Sequence, residues 1–273
     1  MLKLTNELWF SERAAYMIIE CFSSLLDWDI NIFNSFQENG SDKINNKNNK
    51  TEELLYIKGR QAYSVKNYKE AIINYIMSAN IGMAHAQNEM GKCYEYGHGV
   101  PKDKKKAFEW YSKAATQNYA EAQYNIGRCC YDGIGVVKDK KKAVDWYLQA
   151  AEQGHATAQI YAGYEYFHGK NIIQDKRKAF EWYLKAATQG SAYAQNEVGY
   201  CYYNGFGTMK DKYKAFEWYL QAAEKDNHAA QYNTGWCYQY GIGVEKNKRQ
   251  AKYWYKQALS NGNINAKQML WEL

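Results

Sequence analysis

Residue types able to do chemistry are plentiful in this chain, but their spacing does not bring them together. The histidines, His85, His98, His155, His168 and His228, share no position from which a site would assemble. Neither Cys-x-x-Cys nor His-x-x-x-His spacing occurs. Of six cysteines, Cys93, Cys129, Cys201 and Cys237 fall in one register of 36 residues, with Glu165 in the remaining place. Neighbouring helices pack roughly 8–10 Å apart, whereas a disulfide needs Cα atoms within about 7 Å. Cys129 and Cys130 are adjacent and point to different helix faces. The cysteines therefore read as reduced small residues, which implies a cytoplasmic setting. Gly-x-Gly loops resemble phosphate cradles, yet no strand precedes them and they stop helices, so they read as turns. No catalytic residue, metal ligand or cofactor site follows, and the chain reads as non-enzymatic.

Charge gives a weaker signal. Thirty-five Lys and Arg against 29 Asp and Glu leave a formal charge of +6, a modest excess. Lysines recur in clusters such as Lys104, Lys105, Lys106 and Lys140, Lys141, Lys142, each at the start of a helix. Cations there oppose the helix dipole by a few tenths of a kcal/mol each. Stacked, they form a basic ridge: a solvated rim, open to weak contact with an acidic partner or an anionic membrane. No exposed aromatics interleave with them, so nucleic acid is not expected.

The elements that must position these residues are set by a repeat. Lys-Ala-Phe-Glu-Trp-Tyr-Leu-Lys-Ala-Ala at 178–187 returns at steps of 36, placing Trp110, Trp146, Trp182, Trp218 and Trp254 in register, each followed by Tyr. Ala179, Trp182, Tyr183, Ala186 and Ala187 form one apolar stripe of an amphipathic helix. A preceding helix carries Ala-Gln and then, four residues after the Gln, Gly91, Gly127, Gly163, Gly199 or Gly235. Glycine inside a helix costs about 1 kcal/mol against alanine, so its return suggests another helix crossing too closely for a Cβ. Gly97, Gly133, Gly169, Gly205 and Gly241 then end this helix. Asp103, Asp139, Asp175, Asp211 and Asn247 stand as N-caps of the next. The Trp-Tyr pairs read as core.

A period of this length means stacked supersecondary units rather than one globular centre. The array is expected over 51–273, with a short first repeat, five full repeats and a lone closing helix. Its first repeat aligns Gly59 with Gly91 if the connecting loop is four residues shorter. Residues 1–37 contain apolar, partly helical sequence outside the repeat, and 38–50 is an Asn/Lys run that reads as a flexible linker. Ala14 to Leu26 is too short to span a bilayer, and the opening residues lack a secretory signal.

The recurring pattern Ala-Gln-x-x-x-Gly-x-x-Tyr-x-x-Gly-x-Gly-Val-x-Lys-Asp-x-x-Lys-Ala-x-x-Trp-Tyr-x-x-Ala-Ala resembles the Sel-one-like repeat, a relative of the tetratricopeptide repeat, over about 220 residues. Gly169-Lys170-Asn171 departs from it by lacking the second glycine. The resemblance implies an all-α, right-handed α/α superhelical solenoid of helix-turn-helix repeats, used as an adaptor or scaffold for protein complexes.

In such superhelices the first helices face the concave side. The position after each central glycine reads Lys92, Arg128, Tyr164, Tyr200 and Trp236; three residues on come Glu95, Tyr131, Phe167, Tyr203 and Gln239. These i, i+3 neighbours share one face and grade from charged to aromatic. They are either partner anchors, since aromatics supply contact area at low entropy cost, or packing against the adjacent repeat. The expected function is a scaffold that binds a partner protein or peptide along this concave strip. The alternative is a regulatory or targeting tail of a larger signalling enzyme, for example a protein kinase.

Overall fold

A computed structural model describes residues 44–273, with side chains from Thr51 onward. The chain divides into two compact units, 1–51 and 52–273. The expectations for residues 1–37, including the apolar stretch at Ala14 to Leu26, lie outside the described residues. Those residues form thirteen α-helices and no strand. Helices α1 (Ile44–Ser64) and α2 (Tyr68–Ile81) make the first pair. Then follow α3 (Ala84–Tyr96) and α4 (Lys104–Ala115), α5 (Ala120–Asp132) and α6 (Lys140–Glu152), and α7 (Ala156–His168) and α8 (Lys176–Thr188). The array continues with α9 (Ala192–Asn204) and α10 (Lys212–Ala223), α11 (His228–Tyr240) and α12 (Lys248–Ser260), and closes on α13 (Asn265–Trp271).

The expected linker is corrected in part. Residues 44–50, placed by the sequence in the linker, are helical and form the first turns of α1, while the second compact unit begins at Glu52. Adding turns to an existing helix avoids the nucleation cost, and lysine is a good helix former; low hydrophobicity alone is therefore a poor guide to a linker.

Each second helix starts where its cap residue allows. Asp103, Asp139, Asp175, Asp211 and Asn247 accept hydrogen bonds from first-turn amides of α4, α6, α8, α10 and α12. A carboxylate or amide oxygen there satisfies otherwise orphaned donors and offsets the lysines that follow. Each first helix of the full repeats ends on a left-handed glycine, Gly133 with φ 76° for example.

The repeat core is built on tyrosine. Tyr75, Tyr111, Tyr147, Tyr183, Tyr219 and Tyr255 are buried between fully buried alanines. The tryptophans beside them are only half-buried, which corrects the reading of both columns as core. Trp110 packs instead on the edge of the cluster around Tyr75, one repeat back, with Lys113 Nζ 4.2 Å from its ring centre. The central glycines are crossed closely by the next helix, as expected: the Ala143 carbonyl would lie 3.2 Å from a Cβ on Gly127 and the Ala215 carbonyl 3.1 Å from one on Gly199. What lies over each is the tyrosine ring of the next helix: a Cβ on Gly199 would sit 2.7 Å from Tyr219 Cδ1, and one on Gly127 2.7 Å from Tyr147 Cδ1. Gly59 meets Tyr75 in the same way, in agreement with the shorter loop of the first repeat.

The second loop glycine serves contact between repeats. A Cβ on Gly135 would collide with the Lys104 carbonyl, and one on Gly207 with that of Lys176. The loop of each repeat thus lies directly on the first turn of the preceding second helix.

Candidate interaction surface

The structure carries the two columns of the predicted strip on successive first helices, and it treats the two ends of the strip differently. At the N-terminal end the charged members are paired within the chain. Lys92 Nζ lies 3.0 Å from Glu89 and 3.5 Å from Glu121 of the next repeat, and Glu121 also meets His155 Nε2 at 2.9 Å. Arg128 grips both carboxylate oxygens of the buried Glu95, one repeat back, with the bond from Nη1 at 2.7 Å. Tyr111 donates its hydroxyl to the same carboxylate at 2.8 Å. These donors hold the Glu95 carboxyl below its usual range against burial, which alone raises it. Glu121 is held low chiefly by His155. A carboxylate with two guanidinium bonds and a phenol bond is a satisfied ion pair, which locks adjacent repeats rather than awaiting a partner.

At the C-terminal end the strip is aromatic. Phe167 packs edge-on against Phe206 at 5.6 Å and lies 6.2 Å from Tyr200; Tyr203 and Trp236 meet edge-on at 5.2 Å. Tyr164 pairs with His168 at 4.3 Å and receives a hydrogen bond from Lys170 at 3.1 Å. Tyr131 packs against the cluster around Tyr111 and Tyr147 and lies under Lys140 Nζ at 5.0 Å from its ring centre. The residue after one central glycine thus touches the residue four after the preceding one: Arg128 on Glu95, Tyr200 on Phe167, Trp236 on Tyr203. Of the two alternatives raised by the sequence, packing against the adjacent repeat is what these contacts show. The rings pack between repeats, yet Tyr200 remains 41% exposed, with Tyr193 at 46% on the same helix.

The basic ridge is partly engaged. Lys106, Lys178 and Lys214 lie over Tyr94, Tyr166 and Tyr202, and Lys176 Nζ sits 3.2 Å from the Phe167 ring centre. Such cation–π contacts keep the amines near the surface but hold their stems down. One open cleft of ≈ 500 Å³ lies at the ridge, lined by Cys130, Val136, Lys138, Lys140, Lys142 and Asn171. It opens at the junction where Asn171 replaces the second loop glycine. Asn171 avoids the left-handed backbone that the glycine takes and donates instead to the buried Glu165 at 2.9 Å. The two departures from the repeat pattern, Glu165 in the cysteine column and Asn171 in the loop, are therefore joined by one hydrogen bond.

Sequence reasoning missed a polar ladder. Gln87, Gln159, Gln195 and Gln231 donate to the alanine carbonyls that end the preceding helices. Three of them accept in turn from the residue 30 positions later: Gln117, Gln189 and Asn261. At the fourth that residue is Lys225, which donates to the Gly190 carbonyl and leaves Gln195 Oε1 buried with no partner. The recurring Gln at 117, 153 and 189 was the available signal, since a polar residue that keeps phase in a helix-end turn has a fixed partner.

Among the described residues no group of histidines, cysteines and carboxylates could hold a metal. Burial pushes the thiols of Cys93, Cys129, Cys201 and Cys237 up to about 12; they are free and buried, hence unreactive. No described helix is long and apolar enough to cross a membrane.

The family model described as the Sel1 repeat matches five consecutive times, over residues 84–119, 120–155, 156–191, 192–227 and 228–263. The chain belongs to the Sel1 repeat family. Its array is similar to a Sel1 repeat protein from Oxalobacter formigenes, with 36% identity and a TM-score of 0.74 over 79% of this chain and 86% of that one. It is also similar to c5321, a protective antigen of uropathogenic Escherichia coli with this repeat fold, at 30% identity and a TM-score of 0.75; the match covers 80% of this chain but 48% of that one. No functionally curated protein matches the chain. Sel1 repeat proteins are generally non-catalytic scaffolds for protein partners.

Proposed function

We propose that this Sel1 array is a non-enzymatic adaptor that holds a partner protein or peptide along the first helices of its C-terminal repeats, on the face formed by Tyr164, Phe167, Tyr200, Tyr203 and Trp236. The supporting observation is the contrast within one register. Where the N-terminal repeats fill it with closed ion pairs, the C-terminal ones present aromatic rings, with Tyr200 still open to solvent. Rigid rings that keep exposed area after packing on one another are good anchors for an incoming chain. The first helices are also the elements that line the concave side in superhelices of this kind. Unpaired, buried thiols suit a cytoplasmic setting for such an adaptor.

Proximity labelling with the full chain identifies candidate partners, and recovery with variants tests the surface. The Tyr164→Ala, Tyr200→Ala double variant should recover the partner poorly. Lys140, Lys141 and Lys142 changed together to Gln should leave recovery intact at physiological salt, because the ridge contributes screened, long-range attraction only. Equal recovery by wild type and the tyrosine variant sinks the proposal; loss with the lysine variant alone transfers the function to the ridge.

A further inference from the structure

Glu197 is the one acidic member of the aromatic part of the strip. It stands two residues before Gly199, where the other repeats have Glu89, Asn125, Tyr161 and Asn233. In the first full repeat the same position is satisfied from within: Glu89 has Lys92 at 3.0 Å, and Lys92 is held from the far side by Glu121. In the fourth repeat the acid is kept but its cation is not. The residues that correspond to Lys92 and Glu121 are Tyr200 and Ala229. Among the described residues no Lys, Arg or His pairs with Glu197; its partner is the Asn196 side-chain amide, at 3.1 Å. Its carboxyl is nonetheless partly withdrawn from water, and burial raises it above the usual range, with only the Asn196 bond acting against that.

We infer that Glu197, flanked by Tyr193 and Tyr200, is a seat for an arginine side chain of the partner segment that lies along the strip. Tyr193 and Tyr200 stand four residues before and three after Glu197 on α9, so they border it on one helix face, and both are exposed. Tyr161 and Tyr164 occupy the places of Glu197 and Tyr200 one repeat back, and Tyr193 is in electrostatic reach of Glu197, Tyr161 and Tyr164. A carboxylate among aromatic faces favours a planar cation, which can bond the oxygens and stack on the rings at once. The chain contains this arrangement in closed form, since Arg128 binds Glu95 with a tyrosine hydroxyl alongside. Asn196, whose amide holds the Glu197 carboxylate, is itself fixed by Asn233 Nδ2 on Asn196 Oδ1 at 2.9 Å, so the acid is oriented before any ligand arrives.

This inference rests on the strip being the binding face, and one experiment separates the two. A displayed random-peptide library is selected on the full chain, and the best peptide is synthesised with arginine and with the neutral isostere citrulline in its place. Selected peptides should be enriched in arginine. Affinity should fall about tenfold or more both in Glu197→Gln and on the citrulline exchange, since each leaves one buried charge unanswered. Far-ultraviolet dichroism of Glu197→Gln should match wild type. Peptides that need Tyr200 but bind Glu197→Gln and wild type equally overturn the arginine seat and leave the strip standing. Peptides indifferent to Tyr200→Ala and Glu197→Gln, or no selected peptide at all, overturn both. Equal affinity of the arginine and citrulline forms overturns the seat even if Glu197→Gln fails to fold.

Discussion

The first two full repeats and the fourth share their central and loop glycines, the core tyrosine and the alanines of the second helix, and differ in how they treat acid on the first helix. In the former, Glu89, Glu95 and Glu121 are each met by Lys92, Arg128 or His155, so the polar face is closed by the chain's own cations. In the latter, Glu197 has no cation among the described residues, and Tyr200 stands in the position of Lys92 and Arg128. The interior positions set the fold and are uniform; the face positions are free of that duty and have diverged. A repeat protein separates these roles more cleanly than a globular domain does, because every repeat solves the same packing problem against its neighbours.

The largest effect is expected where a closed pair is broken. Arg128→Ala leaves the carboxylate of Glu95 buried between repeats, at a cost of about 3 kcal/mol or more. Native-state hydrogen exchange should register the loss first in α3 and α5; an unchanged melting temperature would mean that the pair is ornamental. Next come the ring seats. Gly127→Val and Gly199→Val should each cost about 1–3 kcal/mol through overpacking against Tyr147 and Tyr219. Because both rings approach equally closely, the two costs should agree within about 0.5 kcal/mol; a large disparity measured in urea would show that the halves differ in core as well as in face.

A smaller effect, of opposite sign, is expected from repairing the ladder. Lys225→Gln restores the donor that Gln195 Oε1 lacks and should add about 1 kcal/mol, read as a higher midpoint in urea. The smallest effect comes from pH, and its sign separates the two regions. Glu95 and Glu121 have lowered carboxyls, so the stability they confer is present above the usual carboxylate range and is lost as pH falls through their folded values. Glu197 has a raised carboxyl, so its contribution is present below that range and is lost as pH rises through its folded value. Gentle acidification from neutrality should therefore tighten exchange in α9 before it loosens α3 and α5, and Glu197→Gln should abolish the tightening. Loosening of all three helices together would contradict the assignment.

Much of the architecture was legible because its causes are local. The caps at Asp103, Asp139, Asp175 and Asp211 and the terminating glycines at 97, 133, 169, 205 and 241 depend on residues a few positions away, and the structure places them where the pattern puts them. The helical start at Ile44 was hidden because it depends on propagation from α1 rather than on composition. At the central glycines the sequence showed that a helix crosses closely, and packing added what meets Gly199: the ring of Tyr219 and the Ala215 carbonyl.

The period, the helical pairing and the free, unpaired state of the buried cysteines followed from the sequence alone, since each rests on spacing along one chain. Tertiary structure decided which aromatic of each Trp-Tyr pair is core, because the tyrosine ring lies over the central glycine of its own repeat while the tryptophan is only partly buried. It also decided that Arg128 reaches back to Glu95 while Glu197 is left with Asn196. Side chains 33 residues apart become neighbours only when the stack sets the offset between successive helices, and a carboxylate's charge state follows from those neighbours.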